Sequence, residues 1–314
     1  MRVLVTGGAG FIGSHIVDDL LAAGHEVLVV DDLSTGKMAN LPGSVELAQV
    51  DIAGPRFLEI ARRFKPEAIT HCAAQASVVV SMAEPIIDAT TNILGGLQVL
   101  KAAIETGCPR FVYITTGGAL YGHPLYTPSD EGHPIRPISP YGLSKWTLEG
   151  YASLLLPEST PPRVLRLANI YGPRQDPNGE AGVIAIFGSR MLGGQPVTIY
   201  GDGEQTRDFV YVGDVVRAHA LALALPAPRP VTINIGTMQP TSVNELFRVM
   251  ATETGYTLPA IHAEERRGEI KHVTLDNLQA KEALGWEPRT GLQEGIKATI
   301  DWLRQARVAA GVRG

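Results

Sequence analysis

The first 31 residues constrain the fold most. An apolar run, Val3-Leu-Val5, leads through Thr6 into Gly7-Gly8-Ala9-Gly10-Phe11-Ile12-Gly13. A helical pattern over residues 14–23 follows, and after a turn at Gly24-His25 a second apolar run ends in Asp31. Strand, glycine turn, helix, strand and terminal acid make up the unit that holds a dinucleotide. Glycines let the backbone turn tightly and approach a pyrophosphate that a Cβ would obstruct. The helix N-terminus behind them offers unpaired N–H groups and a partial positive charge to that anion. A carboxylate at Asp31 can accept hydrogen bonds from both adenosine ribose hydroxyls and repels a 2′-phosphate, which favours NAD over NADP. Gly7, Gly10 and Gly13 are spaced GxxGxxG, not the GxGxxG of many dehydrogenases, so the assignment rests on the whole unit.

Further strand-like runs at residues 45–50, 68–72, 111–115, 164–167 and 232–235 alternate with helical patterns at 57–64, 88–106, 140–156 and 214–225. This order predicts an α/β fold, a Rossmann-type doubly wound parallel sheet with helices on both faces. Ligands on such sheets lie beyond the carboxyl ends of the strands. That rule gathers the glycine turn, Asp31-Asp32, Asp51-Ile52, Ala73 to Gln75, Thr115 to Gly118 and Ala168-Asn169 on one lip of a cleft. Beyond Tyr171 glycine and proline punctuation rises, which predicts a smaller C-terminal α/β substrate lobe facing that lip. The expected division is 1–171 plus 214–236 for the dinucleotide and 172–213 plus 237–314 for the lobe. A final amphipathic helix carries Ile296, Ile300 and Leu303 on one side.

A chain of 314 residues fits two domains or one large α/β domain. A net charge of −5 argues against a broad nucleic-acid surface. No apolar run reaches membrane-spanning length, and the glycine-rich start lacks a signal-peptide layout. Cys72 and Cys108 show no metal or redox spacing, so no metal is expected and a reduced, cytoplasmic setting fits.

Tyr141 and Lys145 stand four apart in Ser139-Pro-Tyr-Gly-Leu-Ser-Lys145, and so one turn apart on one face if helical. A free tyrosine, with a pKa of about 10, is a poor base at neutral pH. A neighbouring ammonium and a nicotinamide cation favour its phenolate. Such a pair can take a hydroxyl proton while hydride leaves the same carbon. A strand-end hydroxyl would orient that substrate oxygen; Thr116 is the first choice and Thr115 the second.

At this point the chain resembles the extended short-chain dehydrogenase/reductase family, and within it the UDP-glucose (UDP-galactose) 4-epimerases. The resemblance rests on Thr6-Gly-Gly-Ala-Gly-Phe-Ile-Gly13, Asp51-Ile52, His71-Cys-Ala-Ala74, Asn92, Tyr121-Gly122, Tyr141-Gly-Leu-Ser-Lys145, Arg166-Leu-Ala-Asn169, Tyr171-Gly-Pro-Arg174, Arg207-Asp-Phe-Val-Tyr-Val212, Asn234-Ile-Gly236 and Leu284-Gly-Trp-Glu-Pro288. It implies that Gly7, Gly10, Phe11 and Ile12 meet the NAD pyrophosphate, that Asp31, Asp32 and Ser34 hold the adenosine ribose side, and that Asp51 and Ile52 flank the adenine. Ala73, Ala74 and Gln75 would run beside the cofactor, with Asn92 near its pyrophosphate. Tyr141 would be the acid/base, and Lys145 would bind the nicotinamide ribose and tune it. Asn169, Arg207 and Arg266 match positions that contact the UDP phosphates, and Glu269 one that holds the uridine ribose. Arg266-Arg267-Gly268-Glu269 replaces the commoner Arg-Pro-Gly-acid string, leaving Arg266 and Arg267 as alternatives.

Two departures bear on the reaction. Gly117 stands where counting back from Tyr121 would put the hydroxyl, whereas counting back from Tyr141 selects Thr116. Related dehydratases and decarboxylases place an acid directly after that hydroxyl to move protons on the sugar; Gly117-Gly-Ala119 has none. The expectation is therefore a 4-epimerase acting on UDP-galactose and UDP-glucose. Val273, where a bulky Tyr tends to mark strict UDP-glucose enzymes, leaves room for UDP-N-acetylglucosamine. The alternatives are a UDP-glucuronate 4-epimerase and a non-catalytic NAD-binding sensor. The resemblance also implies a homodimer through the helices at 88–106 and 140–156.

Overall fold

Both faces of the first strand are buried: Val3, Leu4 and Val5 are inaccessible to solvent, which is why the run is continuous rather than alternating. The computed structural model describes residues 1–177, 179, 182–226, 229–265 and 269–309. Strands β1 (Arg2–Thr6), β2 (Glu26–Asp31), β3 (Glu46–Gln49), β4 (Ala68–His71), β5 (Phe111–Thr116), β6 (Pro162–Leu167) and β10 (Val231–Ile235) form one parallel sheet in the order β10-β6-β5-β4-β1-β2-β3. The strand order reverses at β1, between β2 and β4, and the crevice of such a sheet opens there.

Alternate strand residues feed two cores. Val3, Val5, Val27 and Val29 pack with Ile16, Val17 and Leu20 of α1 (Phe11–Ala22) and Val215, Ala218 and Ala222 of α8 (Val212–Ala224). Leu4, Leu28 and Ile69 pack on the other face with Phe57 of α2 (Arg56–Phe64), Val99 and Leu100 of α5 (Gly96–Thr106) and Leu148 and Ala152 of α6 (Pro140–Leu155). Helix α6 starts where its sequence predicts: Pro140 occupies the first turn, and the Ser139 hydroxyl accepts the Gly142 N–H at 3.1 Å. The helix expected over 88–106 is interrupted. It comprises α4 (Pro85–Ala89), a π-helical turn (Thr90–Gly95) and α5, with α3 (Val78–Ala83) before them.

A third core binds Ile184, Phe187 and Met191 of α7 (Val183–Leu192), Leu246 and Met250 of α9 (Val243–Thr254), and Ile296, Ile300 and Leu303 of α11 (Leu292–Ala309). Beside it run two small sheets. Strand β9 (Thr206–Tyr211) lies between β11 (Pro240–Ser242) and β7 (Asn169–Tyr171), and β12 (Ile261–Ala263) pairs with β8 (Thr198–Tyr200). No helix among the described residues is long and apolar enough to cross a membrane.

Candidate active site

The glycine turn is formed by backbone contacts. Gly7 has φ +68°, and a Cβ there would come within 2.5 Å of the Ala73 nitrogen, so β4's exit loop lies directly against the turn. A Cβ on Gly13 would collide with the Gly7 carbonyl. Gly10 caps α1 without a side chain, and the N–H groups of Phe11, Ile12 and Gly13 precede the first intrahelical bond, Ser14 N–H to Gly10 C=O at 3.1 Å. These donors face the crevice end of the sheet, where an anion is favoured.

Asp31 is buried and has a job beyond the ribose expected of it. Its carboxylate accepts the Ala9 N–H and the Leu33 N–H, each at 2.9 Å, and so clasps the glycine turn to the end of β2. Burial pushes its pKa up, and those two N–H donors oppose the rise. Exposed Asp32 accepts from both the N–H (2.9 Å) and the hydroxyl (2.6 Å) of Ser34. Asp51 accepts the Ala53 N–H at 2.8 Å, and buried Ile52 packs against Gly95 of the π-helical turn. That turn aims Asn92 at the loop after β4: Asn92 accepts the Gln75 N–H at 2.9 Å and donates to the Gln75 carbonyl at 3.0 Å. Ala73 to Gln75 are thereby fixed beside the glycine turn.

Tyr141 and Lys145 lie one turn apart in α6. The Thr116 hydroxyl lowers the pKa of the Tyr141 phenol and accepts the Ala119 N–H at 3.2 Å, whereas Thr115 Oγ1 is buried without a hydrogen-bond partner among the described residues. Burial, followed by the Asp88 carboxylate, pushes the Tyr141 phenol up to about 12, against the lowering effect of Thr116. Burial brings the Lys145 ammonium down to about 8, while Glu149 and Asp88 hold it up in part. Lys145 Nζ donates to the Ile114 carbonyl at 2.9 Å and lies 4.4 Å from the Tyr113 ring centroid. Asp88 was not anticipated. It is buried and accepts from Gln75 Nε2 (3.1 Å) and Asn92 Nδ2 (2.9 Å), and its place four residues before Asn92 was the available clue.

The residues expected to face the sugar nucleotide come from separated segments. A Cβ built on Gly118 would lie 3.7 Å from Val273 Cγ1 and 4.0 Å from both Asn169 Oδ1 and Thr116 Oγ1, so these three border one space. Arg207 and Glu269, expected to contact different parts of a ligand, pair with each other: Nη2 donates to Oε1 at 2.9 Å. The Arg207 Nη1 donates to the carbonyls of Thr206 (2.9 Å) and Lys271 (3.3 Å). Burial lowers the Arg207 pKa, and Glu269 opposes that shift. Arg266 lies outside the described residues.

A doubly wound parallel sheet, a glycine turn at its switch point and a Thr–Tyr–Lys group at the end of β5 define a protein of the short-chain dehydrogenase/reductase class. The family model for the NAD dependent epimerase/dehydratase family matches residues 3–236, and the chain belongs to that family. It is 42% identical over 311 residues to a UDP-glucose 4-epimerase of Mycolicibacterium smegmatis, covering 97% of this chain and 99% of that one. The structure of Thermotoga maritima UDP-glucose 4-epimerase with UDP-glucose superposes with a TM-score of 0.93 at 46% identity, covering 98% of this chain and 99% of that one. The Thermus thermophilus UDP-glucose 4-epimerase in complex with NAD gives 0.90 at 45% identity, covering 98% and 100%.

Proposed function

We propose that this protein is a UDP-sugar 4-epimerase interconverting UDP-galactose and UDP-glucose. One observation carries the reading: Thr116, whose hydroxyl lowers the pKa of the Tyr141 phenol, borders one space with Asn169 and Val273, and the adjoining Gly117-Gly-Ala119 loop holds no carboxylate. Chemistry there has one acid/base group and no second proton carrier for dehydration.

The cradle of Gly7, Gly10, Phe11, Ile12 and Gly13, with Asp31, Asp32, Ser34, Asp51, Ile52, Ala73, Ala74, Gln75 and Asn92, holds NAD, and Lys145 takes its nicotinamide ribose. When bound, NAD would supply a hydride acceptor and donor for C4 of the sugar. Thr116 orients the 4-hydroxyl. Tyr141 takes the hydroxyl proton and later gives it back. Burial holds the phenol up at about 12 even with Lys145 one turn away, so a nicotinamide cation would be what brings it towards working pH. Arg207, Asn169, Arg266 and Glu269 hold the UDP, which lets the sugar turn without leaving. The guanidinium suits that task because it offers bidentate donors to phosphate oxygens. Residues 1–171 plus 214–236 form the NAD-binding part and 172–213 plus 237–314 the sugar-nucleotide lobe.

UDP-galactose incubated without added NAD should yield UDP-glucose, read by proton NMR of the product. No conversion of any UDP-sugar would leave only the NAD-binding sensor. The small Val273 wall supports a second substrate, UDP-N-acetylglucosamine. The protein acts as a homodimer in the cytoplasm. Exposed Ile86, Leu94, Trp146 and Leu154 on α4 to α6 support the dimer, and the free thiols Cys72 and Cys108 support the compartment.

A further inference from the structure

One group of buried polar side chains lies behind the Tyr141–Lys145 pair and has no part in the chemistry above. Arg166 on β6 grips Glu149 on α6, with Nη2 to Oε2 at 2.7 Å and Nε to Oε2 at 3.1 Å. Its Nη1 donates to the Tyr121 hydroxyl at 3.0 Å. That hydroxyl donates to Asn234 Oδ1 on β10 at 2.9 Å, and Asn234 Nδ2 donates to the Ser129 carbonyl at 3.0 Å. Glu149, Arg166, Tyr121 and Asn234 are all buried.

The two ends of this chain of bonds touch the two sides of the pocket. Glu149 follows Lys145 by four residues and Tyr141 by eight, so all three share one face of α6. At the other end, Ser129 donates its N–H to the Thr274 carbonyl and accepts the Asp276 N–H, both at 2.9 Å. Val273, next in sequence, borders the space at Gly118. A buried ion pair contributes little net stability, because desolvation offsets the Coulomb attraction; fixing register is its better attested use. Fully satisfied buried networks rigidify what they connect.

We propose that the Glu149–Arg166–Tyr121–Asn234 relay is a positioning device, holding the 273–276 wall of the sugar pocket in register with the helix that carries Tyr141 and Lys145. This rests on the epimerase reading above. The diphosphate anchor sets affinity. The relay sets how well a turning sugar ring meets the phenol, and so acts on rate.

Tyr121→Phe tests this, because it removes one hydroxyl and keeps the ring that packs against His133 and Arg166. The expected result is a kcat for UDP-galactose about 5- to 20-fold lower with KM within about twofold, as misplacement rather than lost binding would give. Backbone amide exchange should quicken at 129–131 and 273–276 and stay unchanged in β1 and α9. Wild-type kcat in the variant, or unaltered exchange at 273–276, overturns the relay. So does a lower melting temperature with faster exchange throughout, which would mark a purely structural role. A wild-type protein that turns over no UDP-sugar overturns the epimerase reading instead, and the exchange pattern still decides the relay.

Discussion

The glycine turn and the rim proposed to face the sugar are built by different means. The turn is contiguous in sequence, built from backbone, and clasped by Asp31 to the end of β2, which is buried from Val27 to Asp31. The proposed rim draws on Thr116, Asn169 and Val273, which border one space at Gly118, and on the Arg207–Glu269 pair, from segments far apart in the chain. The first arrangement fixes a common ligand rigidly. The second can be altered one residue at a time, and specificity is adjusted there with little effect on the fold.

The contrast breaks most readily at the phenol where the two sides meet. Tyr141→Phe should lower kcat by about 10²- to 10⁴-fold while NAD content, read from the absorbance of the purified protein, stays at wild type. On the rim, Arg207→Ala should raise KM for UDP-galactose about 10- to 100-fold with kcat nearly kept, the expected effect of losing charged hydrogen bonds to a non-reacting group. On the turn, Gly7→Ala should cost about 1–3 kcal/mol in denaturant unfolding and reduce NAD loading, since the strain falls on the backbone. Val273→Tyr should cut kcat/KM for UDP-N-acetylglucosamine about tenfold and leave UDP-galactose within about twofold.

Acid sensitivity belongs to the region behind the turn, to His71 on β4 and His219 on α8. Burial brings His71 down to about 3 and His219 down to about 4, against an ordinary value of 6.5. Between those values the unfolded chain binds protons that the folded chain does not, so stability is lost as pH falls from about 6.5 towards 4. The slope should approach about 1.4 kcal/mol per pH unit for each histidine. His219→Gln, which can still bond Thr70, should flatten the fall in melting temperature over that range.

What could be seen in the sequence follows the same division. The main sheet and α6 carry their signals locally, in apolar runs, a glycine turn and a Pro-preceded cap. The break in the 88–106 helix was hidden, because a π-helical turn keeps the composition of an α-helix while shifting Asn92 towards Gln75. Which of Thr115 and Thr116 faces the proposed ligand side depends on the sheet's orientation, since adjacent strand residues face opposite ways. Arg207 and Glu269 are 62 residues apart, and nothing local announces that they pair. The polar relay was equally hidden, although Glu149 repeats the four-residue spacing of Tyr141 and Lys145.

The clasp at Asp31 has a consequence for loading. Both of its carboxylate oxygens are engaged by the backbone of the turn and of the following loop. A receptor already stiff in its empty form surrenders little disorder when its guest arrives, so more of the contact energy survives as residence time. For a reaction that borrows a hydride and must hand it back, long tenancy keeps a half-converted sugar from being stranded.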